Sequence, residues 1–339
     1  VGFEGIIGQE LVLESLKRIV KSGEIGHAYL FSGPAGSGKK TLALLFAQAL
    51  NCHNKLKRPC GQCLSCRRIA SGNHPDLYIL KPQGSSLKIG QLREVKDSLY
   101  LLSVAGGKKI CIIYDAELMT LPAANSLLKI LEEPPQDLVF LLLTARPWDL
   151  PATVVSRCTH FSLSPLTGEK MKAVLEKSNF AHSGEKDFIM ALAGGNPGKG
   201  LEMASRGGWE KKYREALLLV ENIEHGPEEN VFSRAEELTR RDDLQEILDL
   251  LLLIYRDRLV HKLSGPGSKL INSADRFNNN GGVESCAGTA KIIIAEEQKT
   301  VFSLEKICRA LLQLQEELQH NINLRLALEV LFLQMRGAV

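Results

Sequence analysis

A chain of 339 residues with 44% hydrophobic side chains has room for two or three domains, each with its own packed core. Its longest apolar runs, such as residues 250–255, fall far short of the ~20 residues that cross a bilayer, and no charged-then-apolar export pattern opens the sequence, so a cytoplasmic protein with no membrane span is expected. With 42 basic against 39 acidic side chains the net charge is only +3, too small for a general nucleic-acid binder, so any contact with DNA must be local.

From Ile6 to about Leu163, helical patterns alternate with short apolar runs at 28–32, 77–80, 109–114, 139–144 and 160–163. These runs read as strands, and their alternation with helices predicts an α/β domain with a largely parallel sheet over residues 1–165. Beyond Pro165 the strand signals stop. Residues 166–207 read as a small lid of short helices, broken by Gly194-Gly195-Asn196-Pro197-Gly198, and 208–339 as a helical domain. Within the latter, 265–282 is rich in Gly, Asn and Ser and reads as a loop. Leu304, Ile307, Leu311, Leu314 and Leu318 recur at three- and four-residue steps, a stripe that faces other helices and whose ordinary explanation is the domain's own core.

The first strand runs into Gly33-Pro34-Ala35-Gly36-Ser37-Gly38-Lys39-Lys40, followed by a helical pattern. Gly33, Gly36 and Gly38 fit a phosphate-binding loop, in which backbone N–H groups turn inward around phosphates at a helix amino terminus, and Lys39 stands where the phosphate-binding lysine belongs. The next position should carry a hydroxyl that holds magnesium. It is Lys40, which cannot ligate a metal when protonated, and Thr41 comes one residue, or about 100° of helix, too late. The strand at 109–114 should end in adjacent acids, one for magnesium and one for water. Tyr114 interrupts that pair, leaving Asp115 and Glu117, and Glu117 reads equally well as a solvated acid of a helix's first turn.

Cys52, Cys60, Cys63 and Cys66 place four thiols within fifteen residues, the last three as Cys-x₂-Cys-x₂-Cys. Four sulfurs suit tetrahedral zinc. An iron–sulfur cluster also takes four cysteines, but the run lacks the following x₃-Cys-Pro of the bacterial ferredoxin pattern. With no acid or histidine to suggest an open position, the metal is expected to be structural, clipping a zinc module at 52–66 that is otherwise too polar to fold. Lys55, Lys57, Arg58, Arg67 and Arg68 surround it, as a contact surface or simply a solvated one. Cys111, Cys286 and Cys308 lie in or beside apolar runs and read as packed thiols.

Several of these segments together resemble a known family, the AAA+ clamp-loader subunits of bacterial DNA polymerase III, gamma/tau and delta-prime. The resemblance runs from Gly8-Gln9-Glu10 through His27-Ala28-Tyr29-Leu30-Phe31, the phosphate loop and the cysteine cluster. It continues in Ala124-Asn125-Ser126-Leu127-Leu128-Lys129 with Leu131-Glu132-Glu133-Pro134-Pro135, and in Ser156-Arg157-Cys158. It implies an AAA+ P-loop domain, a helical lid and a carboxy-terminal collar, in which Asn323–Glu329 looks like the final helix. The resemblance makes Thr144 a sensor threonine and Arg157 an arginine finger that enters the nucleotide site of the adjacent subunit. Arginine suits that task, being planar, always charged and able to make paired bonds to phosphate oxygens. Tyr114, and Gly198 at the place of a motor subunit's lid arginine, look like delta-prime.

The expectation is therefore a delta-prime-like subunit that carries structural zinc, holds ATP or ADP without turnover and is not an independent enzyme. By the resemblance it is a component of the DNA polymerase holoenzyme and sits in a hetero-oligomeric ring with gamma/tau and delta subunits, meeting the sliding clamp and primer-template DNA through that complex. The alternative is an ATP-hydrolysing motor subunit of gamma/tau type, for which Lys39 speaks and against which Lys40, Tyr114 and Gly198 speak. A stand-alone zinc-dependent nucleic-acid binder would need a basic stripe or stacking aromatics that a 6% aromatic content does not supply.

Overall fold

The computed structural model describes residues 2–178, 185–264, 299–318 and 322–337. The predicted loop at 265–282 and Cys286 lie outside the described residues. By contact the chain divides into two units, Val1–Asn179 with Gly194–Glu202, and Phe180–Ala193 with Met203–Val339. Residues 166–207, expected as a lid, contribute to both.

The first unit is built on five parallel strands: β1 (Ala28–Ser32), β2 (Leu77–Leu80), β3 (Lys109–Ile113), β4 (Leu138–Thr144) and β5 (Thr159–Ser162), in the order β2-β3-β4-β1-β5. Every residue of β1, β3 and β4 is buried. That is why these strands are continuous apolar runs rather than alternating ones: parallel sheets have both faces covered. Successive residues still point to opposite faces. Tyr29 and Phe31 enter one core with Leu16 of α1 (Glu10–Ser22) and Phe46 of α2 (Lys39–Leu50). Ala28 and Leu30 enter the other, with Leu92 and Leu99 of α4 (Ile89–Tyr100) and Leu127 of α5 (Leu121–Glu132). Between α2 and α4 lies the short α3 (Leu64–Ala70). Pro122 opens α5, where a missing N–H costs nothing, and Pro134-Pro135 lie just beyond its end. The short α6 (Ala152–Val155) and α7 (Gly168–Lys177) complete the main elements.

The chain leaves β1, crosses to the sheet edge at β2, and returns through β3 to β4, beside where it began. The carboxyl ends of β1, β3 and β4 therefore line up next to the phosphate loop, at the place where such sheets bind ligands.

The second unit is helical. After α8 (Lys186–Ala193) and α9 (Pro197–Arg206), whose last residues belong to it, come α10 (Trp209–His225), α11 (Glu229–Thr239), α12 (Leu244–Ser264), α13 (Val301–Glu317) and α14 (Leu324–Arg336). Leu304, Ile307, Leu311 and Leu314 are all buried, and α13 packs against α12 and α14, so the predicted stripe is core of this unit. Leu318 is half-buried and caps α13. Asn323 accepts the N–H of Leu326 and starts α14, the helix expected there. No helix among the described residues is long and apolar enough to cross a membrane.

Candidate functional site

The phosphate loop forms as a turn between β1 and α2. Gly33 has φ of 146°, and a Cβ there would come within 2.8 Å of the Leu163 carbonyl oxygen, so only glycine permits this turn. Its N–H donates to the Thr144 carbonyl at 3.2 Å, which ties the loop to the end of β4. Gly36 and Gly38 also have positive φ. Lys39 is buried, and its Nζ donates to the carbonyls of Gly33 and Pro34 at 2.6 and 2.8 Å. Burial pushes its ammonium below the ordinary value, against the pull of the Glu117 and Asp115 carboxylates. The hydroxyl of Ser37 is buried with no hydrogen-bond partner among the described residues.

Beside the loop lies a pocket of about 420 Å³, where Gly36, Ser37, Gly38 and Thr41 face apolar side chains that include Ile7, Leu166 and Leu201. Its size and lining suit a nucleobase next to the phosphate cradle. Thr41 thus lines the pocket, whereas the Lys40 side chain reaches Tyr114, with Nζ 5.6 Å from the ring centroid. Lys81, from the end of β2, stands at 5.6 Å from the same ring. The two positions that hold magnesium in a hydrolysing P-loop are therefore occupied by a cation and a phenol in mutual contact. These residues do not fit the metal.

Thr144 is fully buried at the end of β4, where its hydroxyl accepts the Arg146 N–H at 3.1 Å. Glu117 is not a solvated acid. It sits in a 3₁₀ turn and accepts the Ala145 N–H at 2.9 Å, while its other oxygen is buried without a partner among the described residues. Gly198 approaches the loop so closely that its N–H donates to the Gly36 carbonyl at 2.9 Å, and a Cβ would lie 2.7 Å from Gly36 Cα. The Asn196 side-chain amide donates to the Ala35 carbonyl. An arginine side chain cannot leave position 198 without displacing the loop.

Arg157 follows α6, in the link to β5. Its guanidinium is only partly covered: one nitrogen donates to the Thr153 carbonyl at 2.9 Å and another to Glu132 at 2.7 Å. Glu132, the last residue of α5, was not visible from sequence as its partner.

The four cysteines converge. Their sulfurs all lie within 4.8 Å of one another, with Cys60 and Cys66 4.0 Å apart. Tetrahedral zinc with Zn–S near 2.3 Å needs sulfurs about 3.8 Å apart, so the set fits that metal. Backbone N–H groups of Cys60, Cys63 and Cys66 donate to the sulfurs of Cys52, Cys60 and Cys63 respectively, at 3.3 to 3.4 Å. The N–H groups of Cys63 and Gln62 draw the Cys60 thiol down to about 6, whereas burial pushes the Cys52 and Cys66 thiols up, so that a metal would have to displace protons from those two. The module is also pinned to the core. Ser65 meets His74 at 3.1 Å, the His74 ring accepts the Asp76 N–H, and the Asp76 carboxylate takes Ser103, Val104 and Ala105 at 2.8 to 2.9 Å. Cys111 is fully buried and Cys308 partly so, and burial pushes both thiols up, to about 12 and about 11, as inert packed cysteines.

A parallel sheet in the order β2-β3-β4-β1-β5, with a phosphate loop after β1 and a helical unit beyond, defines a AAA+ P-loop protein. Residues 8–167 match the family model described as DNA polymerase III, delta subunit. Subunit delta' of Bacillus subtilis DNA polymerase III is 31% identical over 97% of this chain and 96% of its own length. The tau subunit of the same organism is 29% identical over 78% of this chain, which spans about half (51%) of that protein. A DNA polymerase III gamma subunit-related protein of known structure from Thermotoga maritima, 17% identical, covers 96% of this chain and 98% of its own, at a TM-score of 0.45 too low to add to the assignment. The chain belongs to the delta-prime, gamma and tau family of DNA polymerase III clamp-loader subunits.

Proposed function

We propose that this chain is the delta-prime-like subunit of its clamp loader, supporting ATP-dependent loading of the sliding clamp while hydrolysing no ATP of its own. The observation that supports this reading most is the contact between Lys40 and Tyr114, which puts an ammonium and a phenol where a motor subunit holds magnesium. The intact glycine frame and the neighbouring pocket still suit ATP or ADP, held without turnover. The helical unit joins the ring of gamma/tau and delta subunits, and primer-template DNA and the clamp are met through that complex. Arg157 serves the neighbouring subunit's nucleotide, where a planar, forked cation stabilises charge developing on the transferred phosphoryl group. The four cysteines hold one structural zinc.

Steady-state ATPase measurement on the isolated chain tests the first half of this reading. Turnover should be negligible. A rate of about 1 s⁻¹ or more, usual for a working enzyme, would place the chain among the motor subunits instead.

A further inference from the structure

We propose that the phosphate loop binds its nucleotide as the metal-free anion, with the Lys40 ammonium taking the place of magnesium. This rests on the reading above that the loop holds ATP or ADP, and it says which ionic form is held and why no metal accompanies it.

The first support is position. In a hydrolysing P-loop site, magnesium sits between the hydroxyl that follows the loop lysine and an acid at the end of another strand of the sheet. Here these positions are Lys40, in the first turn of α2, and Tyr114, just past β3. Their side chains meet, with the Lys40 nitrogen 5.6 Å from the Tyr114 ring centroid. The loss of both metal ligands thus leaves a protein cation between the same two elements. A ring face attracts such a cation, which gives the ammonium a reason to stay there with no phosphate bound.

The second support is charge. Lys81 lies at 5.6 Å from the same ring, and Lys39 is the buried cation of the loop, with the Asp115 and Glu117 carboxylates near it. Three ammoniums against two carboxylates already favour an anion. A divalent cation brought to this spot would meet two ammoniums and, at the positions of its usual two ligands, a lysine and a tyrosine, whereas an unchelated polyphosphate would relieve the repulsion between the lysines.

The third support is the unfilled bonding capacity of the loop. Ser37 is 6% exposed, and its hydroxyl has no partner among the described residues. It stands one residue before Gly38, the amino-terminal cap of a twelve-residue helix, where N–H groups and the helix dipole also favour negative charge. The adjoining pocket of about 420 Å³ receives the base.

Calorimetric titration of the full, zinc-loaded chain with ATP and with ADP tests this, in magnesium-containing buffer and in resin-treated buffer free of magnesium, since EDTA would strip the cysteine module. The expected result is ATP binding about tenfold or more weaker with magnesium than without, because magnesium chelates the free polyphosphate that the loop takes, and binding about tenfold or more weaker in K40A than in the wild type in magnesium-free buffer. The double variant K40S/Y114D restores a hydroxyl and an acid, and should bind at least about tenfold tighter with magnesium than without. Wild-type binding that magnesium leaves unchanged or tightens overturns the proposal, and so does K40A binding as tightly as wild type without magnesium. Wild-type protein that binds neither nucleotide in either buffer overturns the nucleotide-holding reading itself, an outcome distinct from the other two.

Discussion

Arg157 has two partners and yet is not locked. Its pair with Glu132 is solvent-exposed on both sides, so it is worth at most about 1 kcal/mol, a restraint that a phosphate could readily outcompete. Arg157→Ala should therefore change the free energy of unfolding by no more than about 1 kcal/mol and leave complex formation intact, as chemical denaturation and gel filtration with the partner subunits would show. Arg157→Lys should behave like the alanine variant in clamp loading, because an ammonium keeps the charge but loses the planar fork. The sequence exposed Arg157 only through its place in Ser156-Arg157-Cys158. Glu132 was in plain view within its own motif, but nothing local marks two residues separated by β4 as partners. The same holds for Lys40 and Tyr114. Each was legible as a defect in its own motif, and only the fold brings one defect onto the other.

At the scale of elements, the five strands were legible to within a residue at their ends: β1, β3 and β4, buried on both faces, must be short apolar runs, whereas the edge strands β2 and β5, partly and largely exposed, were marked by their place in the alternation with helices. The convergence of the four cysteines was legible from their spacing, but the attachment of their module to the core was not, since that runs through Ser65, His74 and Asp76. Cys63→Ser should leave less than one zinc per chain by elemental analysis and raise hydrogen exchange across 52–70, with the sheet still protected. Asp76 gives a pH-dependent test. Burial alone would raise its carboxyl, but the N–H groups of Ala105 and Val104 and the Ser103 hydroxyl hold it below the ordinary carboxylate range. A group with a depressed native value contributes its stability fully above about pH 4 and loses it as the pH falls through that native value. Asp76→Asn should thus cost about 3 kcal/mol near pH 7, by leaving buried donors without their acceptor. The gap between the two proteins' denaturation midpoints should shrink as the pH is lowered below about 4; a constant gap would show that the charge is not what matters.

Across the whole molecule, the division into an α/β part and a helical part was evident from where strand signals stop, but the division by contact follows neither edge of the expected lid. Residues 194–202 belong with the phosphate loop because Gly198 and Asn196 bond its carbonyls, a closeness that a Gly-Asn-Pro-Gly run permits but does not announce. In the helical unit the apolar stripe of α13 was legible and the polar centre was not: Glu224 of α10 is buried with Arg258 at 3.0 Å, and Tyr255 and Lys299 also bond it. Glu224→Ala should destabilise this unit by about 3–5 kcal/mol, as expected when buried cations lose their counter-charge, and calorimetry should show its transition lowered. For the molecule as a working part, the central claim is that it holds a nucleotide site it does not use and serves one that it does not own. The measurement that tests this most directly is the rate of clamp loading by a loader reconstituted with the Arg157→Ala chain. An arginine supplied in trans is worth about 10³–10⁵ in rate at the site it serves, and intact neighbouring sites mask part of that, so loading should slow by about tenfold or more while basal ATPase changes far less. Loading at the wild-type rate would contradict the account and return Arg157 to an ordinary surface residue paired with Glu132.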